Sequence, residues 1–349
     1  MRSALIGTGA IARQHLSCLQ QLDGAELVGV CDLSRASAEW AAERYEAHGW
    51  YTDHREMLAS ARPDIVHITT PVTSHFDLAA AALDAGAHVI VEKPITVSDY
   101  ELERLLEHAD RAGRTVVEDY NWLFNPPVQD LLDLVARGGL GEVVHAEVTF
   151  CLDILGPGSP FSDRDVPHPA VSLPGGAVGD FITHLAALAH AAVGPHRSVQ
   201  VMWSDERRGD GTNSELLALV EAEGGTATLR FSDRSRPQVF SMRVSGTELS
   251  VNAVITGRKL VVEHRPQWRR PVTSGRRAIA AALDATRGAL ASPWERLGGG
   301  PGLYVGIWKL IELTYRALDA GRPPPVSPAQ IMEVNRLRSD ILAQAGRRP

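Results

Sequence analysis

Asp180 and His184 stand four residues apart in Gly175-Gly176-x-x-Gly179-Asp180-x-x-x-His184. On a helix that spacing puts both side chains on one face, where an imidazole can take a proton from a hydroxyl while the carboxylate orients it. A core histidine beside a first-turn aspartate fits the same spacing. So does a pair of metal ligands, but no further clustered ligand completes a metal set, and no metal is expected. Lys93, in Glu92-Lys93-Pro94, is a second candidate. Of 35 basic residues only Lys93, Lys259 and Lys309 are lysine. A lysine kept in an arginine-rich chain supplies what arginine does not, a compact donor whose pKa falls on burial and which then exchanges protons near neutral pH. The competing reading is a surface turn before proline.

The third constellation is Gly7-x-Gly9-x-x-Ala12, with Asp32 twenty residues beyond it. Glycines between a strand and a helix let the backbone turn tightly and approach a pyrophosphate at the helix N-terminus, and the later acid takes the ribose hydroxyls. Gly7, Gly9, Ala10, Ile11 and Asp32 are therefore expected to bind a dinucleotide. Asp32 would repel a 2′-phosphate, which favours NAD. Ser34 and Arg35 could hold such a phosphate, which leaves NADP open, or serve as a helix cap and a solvated charge.

The elements that must position these residues follow from periodicity. To about residue 120, short apolar runs (3–7, 26–31, 64–70, 88–92, 115–118) alternate with Ala-rich helical stretches (10–20, 34–47, 74–85, 98–112), the last opened by a Ser98-x-x-Glu101 capping box. This is the rhythm of an α/β doubly wound Rossmann sheet, whose ligands bind at the carboxyl ends of the strands. Beyond Tyr120 a helix begins at Asn125-Pro126 and stops at Gly138-Gly139. Alternating runs at 142–152 and 198–261 then predict a largely antiparallel open sheet, with one helix, 177–192, among them. Ser327-Pro328-x-Gln330 caps a last helix. The expected division is a Rossmann domain over 1–121 and an α+β domain for substrate binding and oligomerisation over 122–349, with the final helix free to pack back on the first.

A length of 349 residues calls for two cores. The net charge of −7 argues against a nucleic-acid or anionic-membrane partner and for a small molecule. Cys18, Cys31 and Cys151 form no C-x-x-C pair, which suits a reducing, cytoplasmic setting, and no segment reads as a leader or a membrane span.

A Gly-rich turn, Glu-Lys-Pro near position 93 and Gly-Gly-x-x-x-Asp-x-x-x-His in a second domain together resemble the Gfo/Idh/MocA oxidoreductases, such as glucose–fructose oxidoreductase and inositol dehydrogenases. The resemblance extends to Thr70-Pro71 near the nicotinamide and to Phe124-x-Pro126…Gly138-x-x-Gly141-Glu142. It implies that Lys93, Asp180 and His184 are catalytic, that His75, Glu92 and Lys93 join Thr70 and Pro71 at the cofactor, and that NAD(P) exchanges hydride with a secondary alcohol or ketone of a sugar, cyclitol or derivative. It also implies a homodimer or homotetramer. Asn121 and Trp122, where relatives differ, and Asp163, Asp165 and His168, in a Pro-bounded loop, are candidates for substrate contact. The basic stretch Arg265, Trp268, Arg269, Arg270, Arg276 and Arg277 reads as a solvated surface segment, with contact to a nucleotide-sugar diphosphate or to a partner subunit as the alternatives. Two other functions stay open: NAD-dependent oxidation and elimination of a glycosidic bond, and a non-catalytic NAD(H) sensor, against which three intact reactive residues count.

Overall fold

The computed structural model describes residues 1–154, 156, 175–204, 214–264 and 304–345. The chain forms two compact units, Met1–Asn121 with Ile307–Ser339, and Trp122–Gly306 with Asp340–Pro349.

Six parallel strands make the sheet of the first unit: β1 (Arg2–Ile6), β2 (Glu26–Cys31), β3 (Trp50–Tyr51), β4 (Ile65–Ile68), β5 (His88–Val91) and β6 (Val116–Glu118). Their order, β3-β2-β1-β4-β5-β6, reverses direction between β1 and β4. That reversal leaves a crevice at the carboxyl ends of those two strands, the place where such sheets bind ligands. Helices α1 (Ala12–Gln21), α2 (Arg35–Tyr45), α3 (His54–Ala61), α4 (His75–Asp84) and α5 (Asp99–Ala112) return between the strands. The expected capping box is half formed: Glu101 N–H donates to Ser98 Oγ at 3.3 Å, while Glu101 Oε2 accepts from Val97 N–H, one residue before the cap, at 3.2 Å.

Two elements here have no counterpart in the sequence reading. A two-residue strand such as β3 is too short to alternate, and α3 follows it directly, started by Asp53, whose carboxylate accepts from the N–H groups of Arg55 and Glu56. The strands also end earlier than their apolar runs. Thr69, Thr70 and Glu92 lie beyond β4 and β5, where the chain turns toward the crevice. The first unit takes in two late helices, not the last alone: α8 (Val305–Asp319), absent from the sequence reading, and most of α9 (Pro328–Leu342), whose Gln330 N–H donates to Ser327 Oγ.

The second unit is built on a seven-stranded sheet: β7 (Val143–Cys151), β8 (His196–Ser204), β9 (Glu215–Ala222), β10 (Gly225–Ser232), β11 (Val239–Gly246), β12 (Leu249–Val254) and β13 (Lys259–His264), in the order β13-β12-β11-β7-β10-β9-β8. Every neighbouring pair is antiparallel except β7 with β10 at the centre. Helix α6 (Pro126–Ala136) precedes it, and α7 (Gly176–Val193) lies on one face. That face is aromatic. Phe150 on β7 is the register partner of both Phe231 on β10 and Phe240 on β11, and Phe181 of α7 packs against Phe150 in a tilted arrangement at 5.0 Å between centroids. On β9 burial alternates strictly, leaving Leu217 and Leu219 on the opposite, exposed face beside Met202 of β8.

Candidate active site

The dinucleotide signature occupies the crevice of the first sheet. Gly7, directly after β1, has φ +92°, and a Cβ placed there would come within 2.6 Å of Thr70 Cγ2 and 3.0 Å of the Thr69 carbonyl group. Only glycine lets the β1 and β4 turns approach this closely. Gly9 is different: a Cβ there meets nothing within 4 Å, so its surroundings are open. Ala10 is exposed, and Ile11 is the residue from which α1 starts. Asp32, after β2, is held in place: its Oδ2 accepts from Thr8 N–H and Thr8 Oγ–H, both at 2.8 Å, and its Oδ1 from Ser34 N–H at 2.9 Å. These donors fix the carboxylate beside the Gly-rich turn, where it can accept ribose hydroxyls.

The residues that left NADP open have other partners. Ser34 caps α2, its Oγ accepting from Ser37 N–H. The Arg35 guanidinium lies over the Trp50 ring at 5.0 Å and 3.8 Å from Glu39.

The contrast between the glycines sets up a prediction. Gly7→Ala costs about 1–3 kcal/mol of stability, from positive φ and steric overlap. Gly9→Ala leaves stability within about 0.5 kcal/mol but weakens NAD binding about tenfold or more, because a methyl then stands where the pyrophosphate must approach the backbone. Thermal melts and calorimetric NAD titrations of both variants check it; equal effects on stability would sink the distinction.

The turn after β5 carries Glu92, Lys93 and Pro94. Lys93 is half-buried, and the Lys93–Pro94 bond is cis. Two of the residues that the resemblance assigned to the cofactor serve this turn from inside. His75 is buried, with Nδ1 2.9 Å from the Pro94 carbonyl oxygen and Nε2 2.8 Å from that of Thr70, so it ties the β5 turn to the β4 turn. Glu92 is 8% exposed; its Oε2 accepts from Lys93 N–H at 3.2 Å, and its Oε1 lies 3.3 Å from His15 Nε2. Thr70 is half-buried, and its Oγ1 accepts from Ser74 Oγ–H; Pro71 is exposed at the rim. Asn121 is buried.

In the second unit, α7 starts where the chain makes a turn only glycine accommodates. Gly175 has φ +78°, and a Cβ there would lie 2.9 Å from Leu342 Cδ2 and 3.1 Å from Gly179 Cα. One turn on, Asp180 is half-buried and His184 buried. Trp122 presents its ring edge-on to His184 at 6.1 Å between centroids and packs on Phe240 at 4.8 Å. The structure thus brings a candidate base and a candidate substrate-contact residue together, on a wall of aromatic rings. Asp163, Asp165 and His168 fall outside the described residues, as do Arg265, Trp268, Arg269, Arg270, Arg276 and Arg277.

Sequence reasoning missed one cluster. Among the described residues, His15, Glu92 and Asp119 bring ligand-type atoms within 4.8 Å of one another, all buried. No shared motif or spacing marks these three residues, and each by itself reads as an isolated core polar group.

A glycine turn at the switch point of a parallel sheet, a fixed acid after β2 and a second, open-sheet unit define a two-unit, dinucleotide-binding oxidoreductase. Residues 1–120 match an oxidoreductase family with an NAD-binding Rossmann fold, and residues 128–252 match its C-terminal domain. The chain belongs to the Gfo/Idh/MocA family. It is 32% identical over 144 residues to D-glucoside 3-dehydrogenase of Escherichia coli K12, a match covering 41% of each chain. It is also 24% identical to Glycosyl hydrolase family 109 protein 2 of Akkermansia muciniphila, over 85% of this chain and 69% of that one. The WlbA dehydrogenase of Bordetella pertussis, solved with NADH and UDP-GlcNAcA, shares the fold with a TM-score of 0.79 at 20% identity, over 99% of this chain and 95% of that one. Among the described residues no helix is long and apolar enough to cross a membrane.

Proposed function

We propose that this chain is an NAD-dependent dehydrogenase or ketoreductase acting on a secondary alcohol or ketone of a sugar, cyclitol or sugar derivative. The observation that carries the reading is the pairing of Asp180 and His184 one helical turn apart on α7, with the Trp122 ring against the imidazole. Flat aromatic faces beside hydrogen-bonding groups suit a ring bearing hydroxyls. In the oxidising direction His184 takes the hydroxyl proton, Asp180 orients the substrate or holds a neighbouring hydroxyl, and the part of Lys93 is that of a proton donor in the same reaction. Gly7, Gly9 and Asp32 would hold NAD, which would supply a hydride acceptor. Asp32, already anchored by Thr8 and Ser34, and Arg35, held over Trp50, favour NAD over NADP.

The test is a screen of NAD⁺ and NADP⁺ reduction, and of NADH and NADPH oxidation, against sugars, cyclitols, nucleotide sugars and their ketones. The expected result is turnover with NAD(H) on one of these groups, with NADP(H) at least tenfold poorer. No signal in either direction with either cofactor overturns the reading. The similarity to Glycosyl hydrolase family 109 protein 2 along most of the chain favours a second reading, elimination of a glycosidic bond with NAD retained. Glycoside cleavage without net NADH in the same screen selects it.

We further propose a homodimer or homotetramer formed through the open face of the second sheet, where Met202 is 71% and Leu219 54% exposed. Leu219→Glu then yields a smaller particle in sedimentation; a native monomer refutes the idea. A cytoplasmic location accords with Cys18, Cys31 and Cys151 being free and buried, and cell fractionation checks it.

A further inference from the structure

Behind the β5 turn runs a line of buried polar side chains from two strands, the turns after two more, and two helices. His15 Nε2, from α1, lies 3.3 Å from Glu92 Oε1 and 3.3 Å from Asp119 Oδ2, just past β5 and β6. Its Nδ1 is 2.9 Å from His67 Nδ1 on β4, and His67 Nε2 is 2.9 Å from the Tyr315 hydroxyl on α8. Tyr315 Oη–H donates to Ser3 Oγ on β1 at 2.8 Å, and Ser3 Oγ–H donates to the Met1 carbonyl oxygen at 3.4 Å.

The polarity of this line follows from its far end. A backbone carbonyl only accepts, so Ser3 donates to it and Tyr315 donates to Ser3. The lone pair of Tyr315 is then left for His67, whose Nε2 must carry a hydrogen. A neutral His67 has a bare Nδ1, so His15 Nδ1 must be the donor between the two rings. At the other end His15 Nε2 faces two carboxylates, which accept only. Both nitrogens of His15 therefore carry hydrogens.

We propose that His15 is a resident imidazolium, a fixed internal cation that holds the Glu92 and Asp119 carboxylates together and so positions the turn that carries Lys93. Its effect on turnover rests on the role proposed for Lys93; its charge state does not.

The electrostatics agree. Burial opposes the charge on His15, but hydrogen bonds and charges from Asp119 and Glu92 outweigh it and push the imidazole up to about 9. Burial, with the charge of His15, holds His67 well below its ordinary value. The titratable groups facing His15 are Glu92, Asp119 and His67, with Tyr315 beyond His67 and Cys18 of α1 near Asp119. A folded value above the ordinary 6.5 means that this contribution to stability is complete below about 6.5 and is lost as pH rises through about 9.

The experiment is ¹⁵N NMR of histidine-labelled full-length protein at pH 7.5, assigned with His15→Gln and His67→Gln. Expected are two protonated nitrogens on His15 and one, Nε2, on His67; a neutral His15 overturns the proposal. Should His15→Gln fail to fold, Tyr315→Phe gives the same decision from the far end. Without the hydroxyl, His67 can carry its proton on Nδ1, so His15 becomes an acceptor and its titration midpoint falls by about one pH unit or more. An unchanged midpoint refutes the polarity argument. One equivalent of Zn²⁺ retained after dialysis, lost in His15→Gln, would show a metal in place of the proton and overturn the proposal too. In kinetics, His15→Gln lowers kcat by about tenfold or more while changing NAD affinity less than about threefold, a split that a general loss of structure would not give. An unchanged kcat with an NMR-confirmed imidazolium refutes the role of Lys93, not the cation.

Discussion

Lys93→Arg is expected to lower kcat by about a thousandfold or more while changing NAD affinity less than about threefold. The charge survives this substitution, so a purely electrostatic role would be largely preserved. What changes is shape and chemistry: a planar fork of five donors replaces a compact ammonium, and an amine able to give up a proton is replaced by a guanidinium that stays charged. The substitution is not expected to unfold the turn, because the lysine side chain is half-buried while the turn itself is fixed by Glu92, by His75 and by Pro94. NAD affinity by calorimetry and single-turnover rates on the substrate found in the screen decide the matter. Near-normal turnover would remove Lys93 from the chemistry and leave it an ordinary turn residue.

The second large effect is expected from His184→Gln, a loss in kcat of about 10²–10⁴-fold. Glutamine keeps a hydrogen-bonding end and much of the volume, so packing against Trp122 and Phe181 is retained and the loss reports on proton transfer. The variant should recover part of its rate as pH rises, since solvent hydroxide can then stand in for the missing base, whereas the native enzyme levels off. Asp180→Asn should lose less and show no such recovery, because an orienting group is not replaced by hydroxide. A His184→Gln enzyme with an unchanged rate would return the residue to the aromatic core of the second unit.

Features that depend on neighbours in the chain were legible in the sequence. The capping box at Ser98, the glycine turn before α1 and the alternation in β9 each follow from contacts a few residues apart, and the Gly7…Asp32 spacing spans a single βαβ unit. The candidate chemistry was legible for a similar reason: Asp180 and His184 share one helix, and Lys93 stands out against the arginines. The polar line was not, because its members are drawn from positions 3, 15, 67, 92, 119 and 315, and no local period connects them. Helix α3 had a start signal in Asp53, but it was obscured by the two-residue strand before it. The inward positions of Asn121 and His75 depend on tertiary burial, which residue type alone does not report.

The split composition of the first unit bears on how the protein is made. All six of its strands and five of its helices lie within residues 1–121, yet Tyr315, which joins Ser3 and His67, and Asn335, which donates to Glu118 at 2.8 Å, come from residues 307–339. Until α8 and α9 are made, the buried Ser3, His67 and Glu118 lack these hydrogen bonds. Residues 122–306, most of the second unit, are made between the two parts, so the sheet whose strands come first in the chain is completed only after them.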